Sequence, residues 1–153
     1  MPKFSLDKCY VTNDFKIALG LDYGRRRMGA AIGQKLIGSA RPMPIIPVKG
    51  GEPDWCALDK IVAQWRPEAI VLGKPTNLDG SIHELNDEIE TLAKRFKKRY
   101  ETAVFFVDEH LSSRMAIEKK KAGAKSPLDS IAAGLILETW FEEQDDTYDQ
   151  QND

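Results

Sequence analysis

Cysteine is scarce in this chain of 153 residues, with Cys9 and Cys56 its two. They lie far apart and no Cys or His stands at metal-ligand spacing from them. That excludes a Cys/His metal framework and predicts two reduced thiols. No apolar run approaches membrane-spanning length, and Met1 to Phe15 carries polar and charged residues where a signal peptide needs its hydrophobic stretch. The expectation is a cytoplasmic protein without membrane contact. Internal repeats are absent as well. From Glu142 onward there is no Lys or Arg, while Glu142, Glu143, Asp145, Asp146, Asp149 and Asp153 supply six negative charges. Without them the remaining chain has 22 basic against 18 acidic side chains, so a net charge of −2 becomes +4. A mildly basic body permits a polyanionic partner without requiring one. The rest is ordinary: 42% apolar and 30% charged residues describe a globular domain long enough to bury its own core. The reading is an extension over 1–15, one domain over 16–143, and an acidic, disordered tail over 144–153.

The most informative stretch is Ile17 to Gln34. Ile17, Leu19 and Leu21 alternate with Ala18, Gly20 and Asp22, the period of a strand covered on both faces. A carboxylate closing such a strand is costly unless a partner or a metal compensates it. Gly24 permits a tight turn, Arg25, Arg26 and Arg27 supply cations, and Met28 to Gln34 reads as a returning strand with small residues. A hairpin displaying Asp22 near its tip is predicted.

Leu36 to Met43 reads as a third strand, stopped by Pro42, Pro44 and Pro47. Asp54 can cap a helix to about Trp65, ended by Pro67, and Ala69 to Gly73 is a short apolar strand that implies a parallel crossover. Ser81 to Glu84 fits a capping box opening a helix to Arg99, whose cations suit the helix C-terminus. Val104 to Val107 is a fully apolar strand ending at Asp108 and Glu109, and Ser112 and Ser113 can start a helix to about Lys121. Ser126-Pro127-Leu128-Asp129 opens a last, largely buried helix to Phe141. This order predicts an α/β fold with a mixed sheet of five strands, the first three antiparallel and the last two parallel to the first, flanked by helices.

Parallel strands would end Asp22 and Asp108/Glu109 at one edge of the sheet, where open α/β folds place ligands, and Asp129 could face them. Periodicity does not choose between Asp108 and Glu109. Carboxylates gathered at one point repel unless divalent cations lie between them, and oxygen ligands of this type suit Mg2+ or Mn2+. Paired ions in such a cluster support phosphodiester hydrolysis. Taken singly each acid has a plainer explanation: Asp129 as a capping-box acid, Asp108 or Glu109 as a strand-end charge, Asp22 as part of a D-x-G turn.

Four ordered blocks resemble the YqgF family: L-D-Y-G-R-R-R-M-G-A-A-I-G at 21–33, V-L-G-K-P-T-N-L-D-G-S at 71–81, V-D-E-H-L-S-S at 107–113 and L-D-S-I-A-A-G-L-I-L-E at 128–138. Members of that family are described as ribonuclease H-like nucleases, as Holliday junction resolvases and as nucleases maturing the 5′ end of pre-16S ribosomal RNA. The resemblance covers about residues 17–141 and implies a ribonuclease H-like fold. By it, Asp22, Glu109 and Asp129 correspond to the three catalytic, metal-binding acids. His110 stands where the family usually has arginine, and the loop over Ala122 to Leu128 is shorter than usual.

Arg25, Arg26 and Arg27 beside Asp22 can hold backbone phosphates, Lys74 and Arg114 can line the same edge, and His110 can donate to a phosphate. A solvated turn or a dipole-complementing helix end would look the same in sequence. The residues are read as those of a metal-dependent nuclease, and the resemblance implies a structured RNA precursor as its substrate, in 5′-end processing of pre-16S rRNA. The alternatives are a Holliday junction resolvase acting on branched DNA, which calls for a two-fold homodimer, and a non-catalytic nucleic-acid-binding antitermination factor. An actin-like ATPase is disfavoured, because no second glycine-rich phosphate loop appears.

Overall fold

A computed structural model describes residues 16–75, 79–108 and 128–152, with side chains described as far as Glu143. The strands are β1 (Ile17–Asp22), β2 (Arg27–Gln34), β3 (Ser39–Lys49), β4 (Glu52–Pro53), β5 (Ala69–Lys74) and β6 (Ala103–Asp108). The helices are α1 (Trp55–Trp65), α2 (Asn86–Tyr100) and α3 (Leu128–Asn152). One sheet runs in the order β4-β3-β2-β1-β5-β6. β1 to β4 pair antiparallel, whereas β5 and β6 run parallel to β1.

The two-residue period of β1 assigns its faces. Leu19 and Leu21 enter a core with α1 and α2 that is completed by Leu58, Ile89, Leu92 and Phe96. Ala18, on the other face, packs with Ala133, Ile136, Leu137 and Trp140 of α3. Small residues line that second face because the helix lies close to the backbone: a Cβ on Gly20 would stand 2.6 Å from Leu137 Cγ and 2.7 Å from the Ala133 carbonyl oxygen. The result is a sheet with α1 and α2 on one side and α3 on the other.

Several expectations need correction. The sheet has six strands, because Glu52–Pro53 adds a short rung on Val48 and Lys49. β3 begins at Ser39 and runs through all three prolines. Proline is tolerated where no ladder bond is required of its nitrogen, and among the described residues only the short β4 pairs with the outer side of β3. Val48 N–H donates to the Arg26 carbonyl (3.0 Å), so Pro47 turns its nitrogen away from β2. Leu36 and Ile37 fall in the β2–β3 turn and are 98% and 67% exposed.

The capping box at Ser81 does not form. Ser81 instead donates its N–H (2.9 Å) and hydroxyl (2.6 Å) to Asp79 Oδ1, a local turn that competes with the helix, and α2 starts at Asn86. Ile82, expected on the inner face of that helix, is 79% exposed. His83, expected on the surface, is half-buried and accepts the Leu85 N–H at Nδ1 (3.0 Å). α3 continues to Asn152, so the tail expected to be disordered is helical; no Gly or Pro interrupts it after Gly134.

The cap of α1 and the free thiol at Cys56 match expectation. Asp54 Oδ1 accepts the Ala57 N–H (3.2 Å) as the cap of α1. Cys56 is an exposed free thiol. Among the described residues no helix is long and apolar enough to cross a membrane. The helix expected over 112–121 and Cys9 lie outside the described residues.

Candidate active site

Asp22 is the last residue of β1, and by alternation it shares the α3 face with Ala18 and Gly20. Its ladder partner on β2 is Gly29. A Cβ on Gly29 would sit 2.0 Å from the Asp129 carbonyl oxygen and 2.9 Å from Ser130 N. Only the missing side chain therefore lets the first turn of α3 rest on the strand beside Asp22. A second fastening acts from the neighbouring strand: Ser130, fully buried, donates its hydroxyl to the Met43 carbonyl (2.6 Å). Placed in this way, Asp129 and Asp22 line one open cleft of about 370 Å³, with residues 23–27 of the hairpin tip as its remaining wall. A carboxylate in a first helical turn is also favoured by the helix dipole.

The arginine triplet separates in three directions. Arg25 turns to the α2 side, with Nε and Nη2 on Glu88 Oε2 (3.1 and 2.8 Å) and Nη1 3.7 Å from Glu84. Arg27 crosses to the α3 side and donates Nε to Asp129 Oδ2 at 2.7 Å. Arg26 is exposed and has no acidic partner among the described residues. Tyr23 joins Arg25 on Glu88, its hydroxyl donating to Oε1 at 3.1 Å. The Arg25 hydrogen bonds hold the Glu88 carboxyl below its ordinary 4.5 against a smaller desolvation cost. Burial, then Glu88, raises the Tyr23 hydroxyl. Because the Glu88 carboxyl is depressed in the fold, its tie to the tip stabilises above the ordinary carboxylate range and is lost as pH falls through the lowered value.

The other expected site residues are placed as follows. Lys74 ends β5 at the same edge but on the α2 face, where Nζ meets Glu90 (3.2 Å) and lies 4.2 Å from the centre of the Phe106 ring. Asp108 ends β6 at that edge too, in register with Lys74. It does not line the cleft of Asp22 and Asp129. Asp108 and burial, burial first, raise the Glu143 carboxyl, and Glu143 stands about 21 Å of helix rise along α3 from Asp129. Glu109, His110 and Arg114 lie outside the described residues, and Glu109 directly follows the end of β6.

Asp22 and Asp129 are hard oxygen donors on two different elements, which suits a divalent cation such as Mg2+ or Mn2+. The cleft already accommodates positive charge, since the Arg27 guanidinium occupies one face of the Asp129 carboxylate. Among the described residues no three His, Cys, Asp or Glu side chains gather at one point.

Sequence reasoning missed Gly29, Ser130 and the Tyr23–Glu88 contact as the parts that assemble this cleft. The small residues at 29, 31 and 33 are a visible sign of close helix approach. Nothing in the sequence indicates the other two.

Comparison with known proteins places these features in context. The profile of the RuvX family, described as Holliday junction resolvase, matches residues 16–143. A Pseudomonas aeruginosa protein named "Putative pre-16S rRNA nuclease" is 36% identical over 137 residues, covering 86% of this chain and 95% of the relative. An Edwardsiella ictaluri protein of the same name is 39% identical over 132 residues, covering 82% and 94%. Among solved structures, RuvC of T. thermophilus in complex with a Holliday junction substrate superposes with a TM-score of 0.56 at 15% identity, covering 84% of this chain and 95% of that one. The yeast mitochondrial Holliday junction resolvase Ydc2 gives 0.53 at 10% identity, covering 91% and 82%. At such identities the structural likeness speaks for the fold alone, a RuvC-like, ribonuclease H-like one.

Proposed function

The chain belongs to the RuvX (YqgF) Holliday junction resolvase family and is a hydrolytic nuclease; on that premise we propose that it acts in 5′-end processing of pre-16S rRNA, with Asp22, Glu109 and Asp129 as its metal-binding, catalytic acids. The observation that carries the site reading is that Asp22 and Asp129, remote in sequence, line one cleft walled by an arginine-bearing tip. Two of the three acids are thus within one open groove that a nucleic-acid backbone can enter. The substrate reading is supported by the names of the relatives, which match this chain over most of their own length.

Hydrolysis requires a water to attack phosphorus in line with the departing oxygen. When bound, Mg2+ or Mn2+ supplies Lewis acidity for both the attacking and the leaving oxygen. The protein's part is to hold the carboxylates at the edge of a rigid sheet and to orient the backbone. Arg26, exposed on the tip, is the cation with the freest reach to a phosphate. Arg27 is paired with Asp129, and its guanidinium is assigned to the substrate backbone as well. Arg25 is committed to Glu88 and acts by fixing the tip, which keeps Asp22 and its neighbours in place. His110 and Arg114 follow the last strand and are assigned to the substrate backbone.

Arg27 and a divalent ion compete for Asp129. At saturating substrate, Arg27→Ala is expected to reach half-maximal cleavage at a metal concentration about two- to five-fold lower, in line with the modest value of an exposed ion pair. KM for the nucleic acid should rise at the same time. A metal requirement that increases in this variant would contradict the competition.

The deciding assay offers purified protein a precursor rRNA fragment and a four-way DNA junction in parallel, with Mn2+ and with chelator. Metal-dependent cleavage of the precursor is expected. Preference for the junction, together with a stable dimer in sedimentation, would favour the resolvase reading that the family description carries. Binding that survives chelation with no cleavage in any metal would instead indicate a non-catalytic role.

A further inference from the structure

We propose that the outer face of α2, formed by Lys94, Lys97 and Lys98 beside the Trp55–Arg95–Arg99 stack, is a second nucleic-acid contact that grips the duplex part of a long substrate. It rests on the nuclease reading above for its partner, and on its own geometry for its place.

Residues 94–99 read K-R-F-K-K-R, five cations in six positions, with Phe96 alone turned fully into the core. Dipole complementation explains cations in the last turn, Lys97 to Arg99, but not Lys94 and Arg95. The two arginines are also held in place. Arg95 pairs with both oxygens of Glu52, and Arg99 places Nε and Nη2 on Asp59 (2.9 and 2.6 Å). Both guanidinium groups lie against the Trp55 ring, at 5.0 and 4.8 Å from its centre. Trp55 is therefore a support for the arginines rather than a free platform for bases.

Two acids thus neutralise two cations, and Lys94, Lys97 and Lys98 remain exposed without an acidic partner among the described residues. Lys98 joins Trp55, Arg95 and Arg99 around a notch of about 400 Å³. A concave surface with surplus positive charge and pre-positioned guanidinium groups matches a phosphate backbone.

Its position connects it to the cleft. Arg25 of the tip is bonded to Glu88 on α2, and residues 94–98 follow it by about 9–15 Å of helix rise. That span is well within one duplex turn, about 34 Å in B-form DNA and somewhat shorter in an A-form RNA stem. One structured substrate can reach both surfaces, its reacting strand in the cleft and its stem along α2. A short single strand would occupy the cleft alone.

The test is a Lys94→Gln, Lys97→Gln, Lys98→Gln triple variant of the full chain, with an unchanged melting temperature as the folding control. Affinity is measured in chelator, so that no cleavage is needed, for a stem-containing precursor RNA and for a short oligonucleotide, across a salt series. The variant is expected to lose about ten-fold in affinity for the stem-containing RNA at low salt. The slope of log K against log salt should become shallower by about 0.7–0.9 for each phosphate contact removed. Binding of the short oligonucleotide should not change. Equal affinity and slope for the long RNA would overturn the proposal and leave an acidic protein surface as the partner these lysines fit. Failure of the protein to cleave either substrate would count against the nuclease site without altering the binding comparison.

Discussion

Asp22→Asn is expected to lower metal-dependent cleavage by about 10³-fold or more while leaving the fold intact. The substitution keeps the size of the side chain and removes its charge. An Asn oxygen is a much weaker ligand for a hard divalent ion, and a loss of about 4 kcal/mol of transition-state stabilisation corresponds to that factor at about 1.36 kcal/mol per tenfold. The fold should persist because the sheet pairs Asp22 through its backbone, in the ladder with Gly29, and Asn preserves the shape of the side chain. The checks are single-turnover cleavage with Mn2+ and a thermal melt. Undiminished metal-dependent cutting by the variant would remove Asp22 from the site. A collapsed melt would mean that the carboxylate also serves the fold.

Gly29→Ala is expected to be the most damaging single-methyl addition near the cleft. The new Cβ would lie 2.0 Å from one backbone atom of Asp129 and 2.3 Å from another, and backbone cannot rotate out of the way as a side-chain tip can. Relief requires α3 to lift from β2, against the Ser130–Met43 hydrogen bond and the packing of Ile136, Leu137 and Phe141. A cost of about 3 kcal/mol is reasonable for forced overpacking, which in a domain of this size lowers Tm by about 6–12 °C. The surviving folded protein should also cleave poorly, since lifting α3 moves Asp129 away from Asp22 and Arg27. Gly134→Ala supplies the contrast. Its nearest neighbours outside its own helix would be the Ala40 Cβ at 3.5 Å and the Ala31 Cβ at 3.8 Å, ordinary contacts, and Ala is the better helix former by about 1 kcal/mol. Normal melting and activity in Gly29→Ala would refute the close-approach argument.

Much of the architecture was legible because it depends on short-range pattern. Alternation in Ile17 to Asp22 and the apolar runs at 69–73 and 104–107 define strands wherever they lie in space, and Asp54 caps α1 through a contact three residues away. Two failures have different causes, one a local competitor and the other a matter of tertiary neighbours. Ser81 had a nearer acceptor in Asp79 than a helix to cap. The prolines of β3 lie in a strand whose outer side, among the described residues, is paired only by the short β4, a fact about neighbours and not about the segment itself. The arginine triplet shows the limit more sharply. Three adjacent identical residues have different roles because strand alternation and the tip turn aim one at α2, one at solvent and one at α3.

The sequence by itself determined which acids are available, that Asp22 closes a buried strand, and that Asp129 opens a helix, because these follow from periodicity and capping chemistry within a few residues. Only the tertiary structure decided that these two share a cleft, that Asp108 stands apart near Glu143, and that Arg25 is a brace while Arg27 faces a carboxylate. The physical reason is that proximity between remote segments is set by how closely backbones can approach, and here one absent side chain, at Gly29, sets it.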